Sequence, residues 1–424
     1  MRALRALVAV QLAALLVAAV ATATSFPVWA LVDEAAHYDY VQSIAEDGRL
    51  PVLDEDRVHD EVLAIDEDVY PAAPRVPASE RGLFGRSYEG FQPPLAYLLA
   101  TPVYAVPSDH EAKQRALRGL GVVLLGMAVF LTWRLARRVV PDAPLAAFSA
   151  ALTFLLWPGV VVRAVTFSNA GLELVVGAAL SLALWRALTE RSDRWLIASG
   201  ALAGVALLTK LTLLAFLPAL AVVCFAFVRA GRMRAAAGAA ALPALLVAPW
   251  VALNLHNYGA PTGSGTIQSI MDPVLNPDGR DYGVGDLPAK HVSLLNAVLP
   301  DEWWVEFLST AKRRLRDAFA VLVLAVPVLA MVRVPSAERR PALVVLLLPL
   351  VAGVLLMSVS LLAENYDAFY GRYLYGVLPG FGVLAALSLR RAFGARVLTW
   401  SAAGVTVLLL ALWAHLSTVT PATV

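Results

Sequence analysis

The chain has 424 residues, 59% of them hydrophobic and only 16% charged, with a formal net charge of +2 and a mean hydropathy of +0.69. Soluble domains carry about 25% charged residues, so this is the composition of a polytopic membrane protein, and the near-neutral balance implies no nucleic acid or other polyanionic partner. There is no Walker loop, no Gly-x-Gly-x-x-Gly after a strand and no Cys/His spacing for structural zinc, and a single cysteine, Cys224, excludes an intramolecular disulfide.

Residues 1–31 are predicted to form the first transmembrane helix. Leu4 to Leu31 is almost wholly apolar, and at about 1.5 Å per residue it exceeds the roughly 30 Å hydrocarbon core. Arg2 and Arg5 in front of it keep the amino terminus in the cytoplasm and send Asp33 outside. The rival is a cleavable signal peptide ending near Ala21-Thr22-Ala23, but the apolar run is longer than the usual hydrophobic region of such a peptide.

An extracytoplasmic loop follows over 32–116. Its polar part, Asp33 to Gln92, is too long for a mere connector and is rich in carboxylates, most of them expected to form a solvated face. Val41, Ile44 and Ala45 fall at helical spacing within Glu34 to Ala45, and Gly48 precedes Pro51, which predicts a short helix on the membrane surface. FQPPLAYLLATPVY, Phe91 to Tyr104, is too short to span the bilayer and reads as a second interfacial helix.

Further spans are predicted at Leu117 to Val139, Leu145 to Val165, Ala170 to Leu188, Trp195 to Thr209, Leu211 to Val228, Ala235 to Leu253, Ala318 to Val332, Ala342 to Leu362, Tyr373 to Leu389 and Val397 to His415. The total is about eleven. They divide into a bundle over 117–254, a second long outer loop over 255–317 and C-terminal transmembrane helices over 318–424. Arginine clusters around Arg137, Arg191, Arg232, Arg339 and Arg391 then all face the cytoplasm. The cluster Lys312 to Arg316 disagrees, though long loops obey the charge rule weakly. Pro300-Asp301-Glu302-Trp303-Trp304 reads as the capped start of an interfacial helix. The topology is most sensitive at Lys210, because fusing the two short spans around it would invert everything after them.

In this topology Arg163, Glu173, Lys210, Arg372 and the pair Asp33-Glu34 gather on the outer side. Ionisable groups near hydrocarbon are costly, so their default assignment is functional. A carboxylate can deprotonate an acceptor, while Arg372 offers a phosphate a planar fork and Lys210 a point charge. Each residue also has a structural alternative. Asp33-Glu34 can cap the surface helix, Arg372 can be an anchor beside Tyr370 and Tyr373, and Lys210 can snorkel to the headgroups. His37 lies four residues after Asp33, on the same helical face, where the two can share a proton or a divalent cation, although a third metal ligand is missing.

With these residues in place the chain resembles the GT-C type integral-membrane glycosyltransferases, which include protein O-mannosyltransferases and lipid A aminoarabinose transferases. The matching pieces are DEAAHYDYVQSIAEDGRLPV after the first span, FQPPLAYLL, LAGVALLTKLTLLAFLP (Leu202 to Pro218), PWVALNLHNYGAPTG (Pro249 to Gly263) and GRYLYGVLPGFGVL (Gly371 to Leu384), in the family's order. The resemblance implies an all-α polytopic fold in the plasma membrane, a catalytic carboxylate in the first outer loop and a sugar donor carried on polyprenyl phosphate. By position, Asp33 would be the general base with Glu34 beside it, its pKa raised by the surrounding carboxylates. His37, Arg163, Glu173, Lys210, Arg372 and Tyr373 would attend the substrates, Arg372 and Lys210 on the lipid phosphate. The acceptor, a glycan, lipid or protein, is left open, as is a divalent metal. Many relatives have Asn-Asp where this chain reads Ser168-Asn169-Ala170-Gly171, and His-Pro-Pro where it reads Gln92-Pro93-Pro94. The alternatives are a transporter or flippase for a lipid-linked sugar, which would need its polar groups near the bilayer midplane, and an inactive GT-C scaffold.

Overall fold

The computed structural model describes residues 2–26, 33–53, 55–60, 62, 86–263, 265–267, 283–287, 290, 325–364 and 371–418. These residues are helical, with no strand among them beyond one isolated bridge between Arg57 and Arg86. The expected helix at Pro300 to Trp304, the basic cluster Lys312 to Arg316 and the first part of the span Ala318 to Val332 lie outside the described residues.

Helix α1 (Arg2–Ser25) is the first apolar segment, and α2 (Glu34–Gln42) continues through a wide turn, Ser43–Asp47, to Gly48, whose φ of 70° stops it where the sequence predicts. Then come α3 (Leu95–Tyr104) and α4 (His110–Val139), the latter capped by Asp109, whose carboxylate accepts from the Ala112 amide at 2.8 Å. The next span is broken into α5 (Pro144–Leu155) and α6 (Pro158–Val165), bent by 72° at a break that precedes Pro158. The bundle continues with α7 (Ala170–Glu190), α8 (Asp193–Thr209), α9 (Leu217–Arg229, entered through a tight turn at Leu211–Phe216) and α10 (Met233–Tyr258). After the second loop, α11 (Ser336–Ala342) runs through Leu343–Leu347 into α12 (Leu348–Glu364), and Gly371–Val377 leads into α13 (Leu378–Thr418).

Seven of the described helices are long and apolar enough to cross a membrane, or eight when the bent α5–α6 pair is taken as one span. Helix α8 has 17 residues, short for the bilayer, and of the two expected C-terminal spans the first begins in the turn Gly371–Val377 and continues into α13, which also holds the second and is interrupted at Gly394 (φ 86°, ψ 169°).

Lys210 is extended (φ −164°, ψ 135°) and separates α8 from α9. Gly200 packs on Ala239, Gly204 on Leu246, and Leu207 clusters with Val247 and Trp250, so α8 and α10 run parallel. Arg232, at the start of α10, donates to Asp193 at the start of α8, at 3.2 Å. The intervening α9 therefore runs back, and Lys210 sits at the tip of a helical hairpin. The two short helices are distinct.

Opposite ends of the bundle are chemically distinct as a result. One carries the arginine clusters, tied to acids at Arg138–Glu190, Arg391–Glu338 and Arg390–Asp142. The other carries α2, the starts of α4 and α7, the Lys210 tip and the turn at Gly371. Its second core, Tyr38, Tyr40, Val41, Tyr97, Tyr104, Leu117 and Phe167, buries α2 on nearly every side. The expectation of a surface-lying α2 is thereby corrected: Tyr38 and Tyr40, packed on Tyr97 and Tyr104, supply enough apolar area to draw it inward.

Candidate functional site

Asp33 opens α2 in a left-handed conformation (φ 77°) and makes no side-chain cap. Its carboxylate turns toward the rest of the end face instead, where Oδ2 accepts from Arg372 at 2.9 Å and Oδ1 from the Tyr88 hydroxyl at 2.7 Å. Both partners of the ion pair are partly exposed, 22% for Arg372 and 18% for Asp33. Burial works against the charge of Asp33, but Arg372, then Arg163, with the hydrogen bond from Tyr88, outweigh it and hold the carboxyl below its usual range. The expectation of a raised pKa is reversed, because the Arg372 and Arg163 guanidiniums together outweigh burial.

Glu34 follows the opposite rule. It is buried, and Arg118 closes on it as a fork, Nε to Oε1 and Nη2 to Oε2 both at 2.8 Å, while Arg118 also donates to the Phe26 carbonyl at 2.7 Å. The pair ties α1, α2 and α4 together and leaves Glu34 no oxygen facing a substrate. Asp39 is likewise occupied, accepting from the Ser87 hydroxyl and from His59 Nδ1 at 2.6 Å.

His37 is buried, with Nδ1 2.8 Å from the Tyr97 hydroxyl. Burial, only partly opposed by Asp33, pushes its pKa down to about 3, so its ring is neutral in the working range. Lys210, from the hairpin tip, donates to Glu173 at 2.9 Å, and Glu173 also accepts from the Gly376 amide at 3.1 Å. Glu173 thus positions Lys210 and the 371–377 turn. A Cβ on Gly177, one turn along α7, would fall on the Gly376 carbonyl, so the turn that carries Arg372 lies directly against α7. Tyr373 stands between the two cations, its ring centroid 5.3 Å from the Lys210 ammonium and 5.5 Å from the Arg372 guanidinium. Arg163, buried in the last turn of α6, adds a third positive charge within reach of Asp33 and His37.

The structure therefore brings Asp33, His37, Arg163, Lys210, Arg372 and Tyr373 to one end face, with Glu34 and Glu173 as supports. It adds Glu89, from the turn Tyr88–Phe91, whose buried carboxyl lies 3.8 Å from His37 Nδ1. Glu89 and Arg118 were not among the sequence candidates. The signals available were an acid between Tyr88 and Gly90 just ahead of Pro93-Pro94, and an arginine inside the first turns of an apolar span. Among the described residues no group of three His, Cys, Asp or Glu side chains is placed to hold a metal ion, and His37 Nδ1 and both Asp33 oxygens already face Tyr97, Tyr88 and Arg372.

A family model described as dolichyl-phosphate-mannose-protein mannosyltransferase matches residues 92–253, from the Pro93-Pro94 turn through most of α10. The crystal structure of ArnT from Cupriavidus metallidurans bound to undecaprenyl phosphate superposes with a TM-score of 0.52 at 15% identity, covering 91% of this chain and 59% of that one. The fold is of the same GT-C type, and this chain spans 59% of that protein's length. No curated protein sequence matches the chain.

Proposed function

We propose that this chain is a GT-C type glycosyltransferase that moves a sugar from a polyprenyl-phosphate donor to an acceptor hydroxyl on the extracytoplasmic side, with Asp33 as general base. The observation that carries this is the Asp33–Arg372 ion pair, a carboxylate and a guanidinium at 2.9 Å on the end face of a GT-C type bundle. Support for the donor class comes from the family description over 92–253 and from the lipid held by ArnT.

In the resting pair Arg372 suppresses the basicity of Asp33. A donor phosphate competes for the same guanidinium, and as Arg372 turns to it Asp33 is released as a stronger base. Asp33 then takes the acceptor O–H proton, the acceptor oxygen bonds to the anomeric carbon with inversion, and the carbon–oxygen bond to phosphate breaks. The electron pair leaves on a phosphate stabilised by Arg372, with Lys210 and Arg163 behind it. Phosphate is a weak base, so no general acid is required. Lys210 at the hairpin tip argues against a carrier, whose site would lie midway along the bundle.

The test is to present the protein, in lipid nanodiscs, with a panel of undecaprenyl-phosphate hexoses together with the host's membrane extract. Saturable binding of undecaprenyl phosphate, and its release from one member of the panel, are expected. Absence of both overturns the assignment.

A further inference from the structure

The oxygen Oε2 of Glu89 is the one carboxylate oxygen among the described residues that is buried without a hydrogen-bond partner. Its neighbours explain its placement. Tyr88 is fixed to Asp33 on one side, and Gly90 lies so close to the Pro51 carbonyl that a Cβ would reach 2.8 Å, so the turn between them is rigidly seated. The carboxyl is thereby aimed at His37, 3.8 Å away, beyond hydrogen-bond reach. Asp33, His37, Lys210, Arg372, Tyr40, Tyr88 and Tyr97 surround it electrostatically. A buried polar atom left open within a group of fixed partners marks a place for a ligand atom.

Granting the transferase chemistry above, we propose that Glu89 is a further substrate-binding residue, its open Oε2 and carboxyl hydrogen taking a hydroxyl of the sugar-bearing substrate. Burial, and then the charge of Asp33, push its pKa up to about 8 against the opposing pull of Arg372, Lys210 and a hydrogen bond from the Gln92 side chain, a bond that leaves Oε2 open, so at neutral pH the carboxyl is an acid with both a donor and an acceptor. A hydroxyl complements that pair atom for atom. An anion does not, because it offers only acceptors, and the nearby Asp33 repels it.

The experiment is infrared spectroscopy of the full chain in nanodiscs, reading the carboxylic-acid carbonyl band of Glu89, which Glu89→Gln should remove. In the wild-type protein the same band should titrate away as pH rises through about 8, which identifies it even where the variant does not fold. The probes are undecaprenyl phosphate, an undecaprenyl-phosphate hexose and a lipid-free methyl hexoside. A shift to lower frequency with the hexosyl lipid assigns a donor hydroxyl, and a shift with the methyl hexoside alone assigns one from the acceptor side. Either supports the proposal, as does an approximately tenfold weaker binding of the shifting probe by Glu89→Ala with undecaprenyl phosphate unaffected. No acid band near that pH, a band unmoved by both sugars, or an equal shift with undecaprenyl phosphate alone overturns it. Phosphorus NMR on the same samples separates the two proposals. Lipid phosphate bound with an unmoved band defeats the Glu89 assignment alone, whereas no bound phosphate defeats the transferase.

Discussion

Asp33 and Arg372 are 339 positions apart in the chain and 2.9 Å apart in space, joined across the end of the bundle by the start of α2 and the turn before α13. The contact holds the carboxylate ionised and gives the guanidinium an anion to exchange for a phosphate.

Arg372→Gln is therefore expected to change two quantities together. Donor half-saturation should rise about tenfold or more, since a charge-assisted fork to phosphate is lost. The acid limb of the pH–rate profile should also move up, because the burial of Asp33 is then no longer offset by its strongest positive neighbour. Profiles measured at several donor concentrations separate these effects. A raised half-saturation with an unmoved limb would show that Arg372 binds phosphate without tuning Asp33.

Glu34→Gln is expected to damage the fold before the chemistry. Removing one partner of a buried pair typically costs about 3–5 kcal/mol, and here it strands Arg118 between α2 and α4. Thermal unfolding in detergent should show a large loss, partly recovered in Glu34→Gln/Arg118→Met. A stable Glu34→Gln with abolished transfer would return Glu34 to the catalytic set.

His59 supplies a pH-dependent latch on the first loop. Its pKa is raised by the hydrogen bond to Asp39 and by the charges of Asp39, Asp47 and Glu46, against burial. A raised folded-state value means the stabilisation is complete below the ordinary imidazole pKa of about 6.5 and is lost as pH rises through the folded value. Amide exchange of residues 55–60 and 86–90 should accelerate over that alkaline step in wild type. In His59→Gln it should be fast at both ends.

Much of this was legible in the sequence, and the gaps have physical causes. The helical hairpin at Lys210, the stop at Gly48 and the gathering of Asp33, Arg163, Lys210 and Arg372 follow from apolar lengths, one glycine and the distribution of arginines, all of which act locally or through the membrane. Pairing is different. That Arg118 would choose Glu34, that Lys210 would choose Glu173, and that Glu89 would be left open depends on which side chains meet after packing. Sequence spacing carries no information on that. The surface placement of α2 failed for the same reason, since its tyrosines found Tyr97, Tyr104 and Leu117 only in three dimensions.

The arginine clusters at the opposite end predict an extracytoplasmic position for the Asp33 face. In a Cys224→Ser background, Ser108→Cys, exposed between α3 and α4, should react with an impermeant thiol reagent in intact cells. Ala230→Cys, exposed between α9 and α10, should react only after permeabilisation. The reverse pattern would put the face in the cytoplasm.

Asp33→Asn addresses the base itself. Asparagine keeps the shape of aspartate, tolerates the left-handed backbone that Asp33 adopts and can still accept from Tyr88, but it cannot take a proton. Since Asp33 makes no cap bond, the substitution should leave α2 intact, and unfolding should stay close to wild type. General base catalysis contributes about a hundredfold to ten-thousandfold, so transfer should fall by at least the lower figure. Donor binding should persist or tighten, because Arg372 loses its competing carboxylate. If transfer remains near normal, the base lies elsewhere. Glu34 and Asp39 are committed to Arg118 and to His59 with Ser87, so the next residue to test would be Glu89, whose pKa of about 8 suits proton transfer near neutrality. Glu89→Gln would then abolish transfer, whereas a residue that only binds a hydroxyl would lose it in part and mainly through half-saturation.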